Sequence, residues 1–231
     1  MGEKESTARS PVVMENRAWE WALALVLHGL FFVLMLEYHR WRGRGYLTDL
    51  RSFLFVGNKA AAIASIFSIG CALAAGPLNR LLKLPVGILR LRRSMGVVGV
   101  GGILFHVTTS IFFLGWKFGL KHYADHWFST AVGFAALAGF AWLAILSWPS
   151  ALEWLGPGKW KAWQTMGYVF LATAFLHGDV LTGKLANWPE WFRKIGKAGN
   201  ALVPPGSFAT AVCVAAVLGL KAADWAAGRK R

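Results

Sequence analysis

The sequence predicts an all-α polytopic membrane protein, a six-transmembrane-helix bundle, and three observations carry that prediction. Of 231 residues, 56% are hydrophobic and 16% charged, whereas a soluble domain carries about 45–50% and about 25%. Apolar stretches long enough to cross a hydrocarbon layer, about 20 residues each, recur six times along the chain. The 13 tryptophans, Trp142 excepted, gather at or near the ends of those stretches, as an interfacial aromatic belt does.

The elements follow in order. Residues 1–18 form a polar N-terminal tail, and the first apolar stretch, 19–38, begins too late and runs too long for a cleaved signal, so it stays as a helix. The second span is read at 58–75, Ala-rich and closed by Gly76-Pro77. The third is 94–116, the fourth 127–148 and the fifth 165–181. The sixth, 207–221, is opened by Pro204-Pro205-Gly206, and 222–231 is a basic C-terminal tail.

Lys plus Arg number 25 against 11 Asp plus Glu, a formal +14. In a soluble domain that excess suggests nucleic acid, but here the basic residues punctuate apolar runs. Their expected partner is membrane lipid, whose anionic headgroups attract each Lys or Arg by about 1 kcal/mol, and no nucleic acid is expected. Loops on the side of the termini hold 14 basic residues and the opposite loops 11, which predicts cytoplasmic termini. Arg90, Arg92 and Arg93, just before the third span, are the strongest local contribution to that bias. Cys71 and Cys213 lie in apolar runs without CxxC or CxxCH spacing, so they read as small buried residues and not as haem-attachment sites.

The histidines divide into three kinds. His39, His122 and His126 fall at interfaces or in loops and read as solvated. His28 sits inside the first span, where it pairs either with a polar group of a neighbouring helix or with a cofactor edge. His106 and His177 lie deep in the third and fifth spans, where polar groups are costly and usually functional. Arg93 to His106 and Gln164 to His177 are each 13 residues, so in parallel spans both imidazoles stand about 20 Å from matched polar starts. Two imidazoles at one level are the natural axial ligands of a low-spin, non-covalent haem. Gly96, Gly99, Gly101 and Gly102, crowded before His106, fit close approach of a porphyrin face or of another helix, and the histidine pair favours the former. Arg92 and Arg93 could meet haem propionates or a quinone headgroup, although topology alone accounts for them.

On these residues the chain resembles the ferric reductase-like transmembrane domain family, and most closely its short bacterial branch of haem-binding membrane subunits, the MsrQ type. Arg92-Arg93-Ser94-Met95-Gly96 with His106 ten positions on is similar to the family's R-R-x-x-G-x9-H pattern. Leu155-Gly156-Pro157-Gly158-Lys159-Trp160 through Tyr168 to His177 is similar to its L-G-x-x-W…Y…H stretch. Gly57 leading an Ala-rich span to Gly76-Pro77-Leu78 resembles the family's second span, and His28 after Trp21 resembles a histidine of the short branch.

The resemblance implies a protein of the bacterial inner membrane with His106 and His177 as haem-iron ligands, and Arg93 and His28 as further cofactor-binding candidates. The family's second histidine in span five falls on Gln164, a poor iron ligand, so one b-type haem is expected. Only about ten residues follow the sixth span, without a Gly-rich phosphate loop, so electrons would come from a redox partner protein, a quinol or a surface flavin. Neither FMN nor quinone has a motif of its own.

The expected function is relay of electrons through the haem to a partner, as the electron-transfer subunit of an oxidoreductase, with no side chain acting as acid, base or nucleophile. The alternative is a structural or accessory subunit of a larger redox complex that keeps the fold. A transporter fits poorly, since midspan carboxylates, broken helices and an inverted repeat are wanting and Asp179 lies near a span end.

Overall fold

Nine α-helices carry the chain in the computed structural model, which describes residues 18–43, 49–84, 87–194 and 204–228. Among these residues there is no strand. The N-terminal segment 1–17 and residues 229–231 lie outside the described residues, as does part of the second loop.

Five segments are individually long and apolar enough to cross a membrane: Ala18–Trp41, Leu50–Leu82, Gly87–Phe113, Trp127–Ile145 and Gly206–Gly228. The fifth expected stretch qualifies only as part of a bent pair, Pro149–Val180 with Lys184–Lys194, which turns by 57°. Polar and Gly residues explain the difference, because the apolar run after Thr165 alone covers only about 23 Å at helical rise.

Helix α1 (Ala18–Gly43) keeps Leu25, Val26, Leu30, Val33 and Leu34 at least half exposed, a surface suited to hydrocarbon and not to water. Helix α2 (Leu50–Leu82) is the hub of the bundle and packs on α1, α3, α7 and α9. Its Ala-rich composition is the reason. Ala60, Ala61, Ala64, Ser65, Ser68 and Ala72 are all buried, and small side chains let four helices approach one backbone.

The second span is therefore longer than the sequence suggests at both ends. It is capped by Asp49, whose Oδ1 accepts from the Ser52 amide at 2.8 Å, and it runs straight through Gly76-Pro77 to a left-handed Lys83 at φ 52°. Proline inside a helix removes the hydrogen bond to the carbonyl four residues back, here that of Leu73. The Tyr168 hydroxyl, buried on α7, donates to that carbonyl at 2.8 Å. A bidentate ion pair, Arg80 Nε and Nη2 to Asp224 at 2.6 Å each, ties the same end of α2 to α9.

Helix α3 (Gly87–Thr108) continues into a π-helical turn, Thr109–Phe113. A short α4 (Leu120–Asp125) leads into α5 (Trp127–Leu146). The segment after α5, expected as a loop, is helix α6 (Pro149–Thr165) with Pro149 in its first turn, where proline's fixed φ and missing N–H suit a helix start. Gly156 at φ 72° bends it, a backbone state that glycine adopts without a Cβ clash. Helix α7 (Gly167–Phe175) then ends in a second π-helical turn, Leu176–Val180. A single 3-10 turn, Lys184–Asn187, precedes α8 (Trp188–Lys194). Helix α9 (Gly206–Gly228) starts after Pro204-Pro205 as expected and runs past the expected end at 221.

Candidate functional site

The glycines before His106 settle first. A Cβ on Gly99 would lie 2.7 Å from Ile69 Cγ1 and 3.2 Å from the Ser65 carbonyl, and one on Gly102 would strike Ser65 Oγ and the His28 ring. Gly96 faces Ala72 at an ordinary 3.7 Å, and Gly101 faces nothing within 4 Å. The preference for a porphyrin face at this run is thus corrected, since Gly99 and Gly102 are small because α2 and α1 press against α3 there. His28 belongs to the same contact. Its Nδ1 sits 2.9 Å from Ser68 Oγ, and it is absent from the lining of the cavity described next.

That cavity has a volume of about 1080 Å³, just above the usual range of about 300–1,000 Å³ for small-molecule sites. His106 of α3 and His177 of the second π turn both line it. π turns shift side-chain register and are frequent at functional sites, and one lies just beyond His106 while the other contains His177. Because α3 begins at Gly87 and not near Arg93, His106 stands about 28 Å along its helix. The shared site is therefore near one end of the bundle.

Each imidazole is held through Nδ1. His106 Nδ1 lies 3.0 Å from Asn58 Oδ1 and 3.2 Å from the Asn58 carbonyl. His177 Nδ1 lies 2.7 Å from the Ser129 carbonyl, while Ser129 Oγ donates to the His177 carbonyl at 3.3 Å. A carbonyl oxygen only accepts, so each Nδ1 carries the proton and, in the neutral ring, each Nε2 keeps a bare lone pair. Gly133 of α5 makes room for the second ring, since a Cβ there would fall 2.8 Å from His177 Nδ1.

The walls are divided. Ile63, Ile66, Ile103, Leu137, Phe140 and Val214 make an apolar part, while Lys59, Lys117 and Lys184 bring cations and Asp179 a single carboxylate. Asp179 is buried and accepts from Thr210 Oγ1 at 2.5 Å. Lys184 Nζ donates to the Gly178 carbonyl at 2.6 Å. Lys59 Nζ stands 4.0 Å from the Phe55 ring centroid.

His39, His122 and His126, expected as solvated loop residues, also line the cavity. His39 comes from α1, while α4 and its C-cap bring in His122 and His126, stacked at 4.5 Å. Tyr123 beside them donates to the Ser110 carbonyl at 3.1 Å, and burial pushes its phenol above the usual range.

The remaining candidates lie elsewhere. Arg93 stacks its guanidinium over Trp148 at 5.2 Å and over Trp21 at 6.0 Å, and Arg92 reaches towards Gly76 beside Arg80. Gln164, at the family's second histidine position, ends α6 with a buried Nε2 that has no hydrogen-bond partner. Both cysteines are free thiols and line a separate apolar groove between α2 and α9.

Among the described residues no group of three or more His, Cys, Asp or Glu side chains is arranged to hold a bare metal ion. A haem iron needs only two axial side chains from the protein, and two histidines that line one roomy, largely apolar cavity with Nδ1 already bonded fit that need. No family model matches the chain, and no curated protein does.

Proposed function

We propose that this chain is a membrane electron-transfer protein holding one b-type haem between His106 and His177, as a relative of the ferric reductase-like transmembrane proteins. The observation that carries the reading is that both imidazoles reach one cavity with Nδ1 committed to a carbonyl acceptor. The group would supply a one-electron ferric/ferrous couple. His106 and His177 would hold it through Nε2, and their Nδ1–H bonds fix tautomer and ring plane in advance.

The apolar wall of Ile, Leu, Phe and Val would face the macrocycle, while Lys59, Lys117 and Lys184 would receive an anionic edge. His28 and Arg93 serve packing and the bundle's other end. Electrons would pass to a partner protein or acceptor at the cavity end, with the termini on the cytoplasmic side.

Absorption and EPR spectroscopy of the purified protein test this. Soret and α bands with a low-spin signal are expected, lost in His106→Ala and in His177→Ala and kept in His28→Ala. Protein that folds without such bands, or bands that survive both losses, would overturn the proposal in favour of an accessory membrane subunit.

A further inference from the structure

We infer that Asn58 is a positioning residue that, through His106, sets the reduction potential of the centre proposed above, and the inference rests on that reading. The two histidines have unequal partners. His177 leans mainly on a backbone carbonyl, that of Ser129 at 2.7 Å, with Ser129 Oγ farther at 3.2 Å. His106 leans on a side-chain amide, Asn58 Oδ1 at 3.0 Å, with the Asn58 backbone carbonyl slightly farther at 3.2 Å.

Asn58 is 3% exposed in a stretch whose other buried members include Ala60, Ala61 and Ala64. Burying an amide costs free energy unless both of its ends are bonded, and here both are. Oδ1 faces His106, and Nδ2 donates to Ser110 Oγ at 2.8 Å. The Asn58 backbone carbonyl, which only accepts, places the proton on His106 Nδ1, and that proton turns the oxygen end of the amide towards the ring and leaves Nδ2 for Ser110. Ser110 sits in the π turn that follows His106, so the turn that ends α3 also orients the acceptor for the histidine near its end.

Partners of the non-ligating nitrogen govern how basic a ligating imidazole is. A stronger acceptor makes the ring donate more electron density and favours ferric over ferrous iron; a weaker acceptor does the reverse.

Redox titration with low-spin EPR, on the full-length purified protein, reads this directly. Asn58→Asp should lower the ferrous-to-ferric ratio at fixed ambient potential by about tenfold, equivalent to 59 mV for one electron. Asn58→Leu leaves only the backbone carbonyl and should move the ratio the opposite way, and Ser110→Ala should move it in that same direction by less. Ser68→Ala, which removes the partner of His28, should leave it unmoved. Retained haem with unchanged potential and g values in all Asn58 variants, or equal displacements in one direction, overturns this inference and spares the functional reading. Absence of haem from the unsubstituted protein overturns both. If Asn58→Leu loses the haem, a shift in Ser110→Ala still supports the inference and an unshifted Ser110→Ala overturns it.

Discussion

His28 and His106 are both imidazoles inside apolar helices, both touch α2, and both use Nδ1 for a hydrogen bond, yet they stand in opposite circumstances. His28 meets a hydroxyl, Ser68 Oγ, which can donate or accept, so its tautomer is left open. Its Cε1 and Nε2 press on Gly102, where a Cβ would come within 2.9 Å of Nε2. His106 meets carbonyl oxygens that only accept, and the residue lines a cavity that His28 does not. Depth and a hydrogen bond are therefore common to a packing histidine and a ligand candidate. What separates them is a dictated tautomer and a place on the cavity wall.

Substitutions can break that comparison, starting with the largest effect. Gly133→Leu drives a side chain into the His177 ring and should abolish most haem binding in protein whose circular dichroism shows it folded, beyond the overpacking cost of about 1–3 kcal/mol. Gly102→Leu drives a side chain into His28 and Ser65; overpacking of this kind costs about 1–3 kcal/mol, so unfolding should come earlier while the fraction that remains folded binds haem normally. Ser68→Ala leaves His28 Nδ1 without its partner, a loss of about 1–3 kcal/mol visible in thermal unfolding with unchanged spectra. The smallest effect is expected at the other end of the bundle, where a double-mutant cycle of Arg80→Gln and Asp224→Asn should report a coupling of about 0.2–1 kcal/mol.

Much of the bundle can be read from one chain because hydrocarbon imposes a simple rule on composition. Five of the six expected stretches appear as helices long and apolar enough to span. The misreadings have physical causes. Gly76-Pro77 looks like a stop because proline removes a helical bond, but Tyr168, 95 residues on from the Leu73 carbonyl, supplies a replacement that local sequence cannot reveal. The segment after Trp148 looks like a loop because it holds Pro149 and Gly156-Pro157-Gly158, although proline at a first turn starts a helix and a single positive φ only bends one.

The site was legible to a similar degree. In the sequence His106 and His177 stand out as imidazoles in spans that hold few ionisable groups; the structure sets both on one cavity, nearer the end of the bundle than the spacing suggests. Asn58 is hidden at what reads as a span boundary; with α2 starting at Leu50 it lies more than two turns inside. His39, His122 and His126 become cavity residues only when α1, α4 and α5 are assembled, and Gly133 shows its purpose only beside the His177 ring.

The buried hydroxyl of Tyr168 has a consequence for the order of assembly. For a chain threaded into a bilayer from its N-terminus, α2 arrives long before residue 168 has been synthesised. During that interval the Leu73 carbonyl lacks both its helical donor, removed by Pro77, and the phenol that later replaces it, and an unbonded carbonyl in hydrocarbon costs several kcal/mol. The early bundle is thus left with a vacant acceptor that only the late-arriving α7 fills. In a chain inserted in that order, Tyr168 would act as a latch, rewarding the docking of the segment that carries His177.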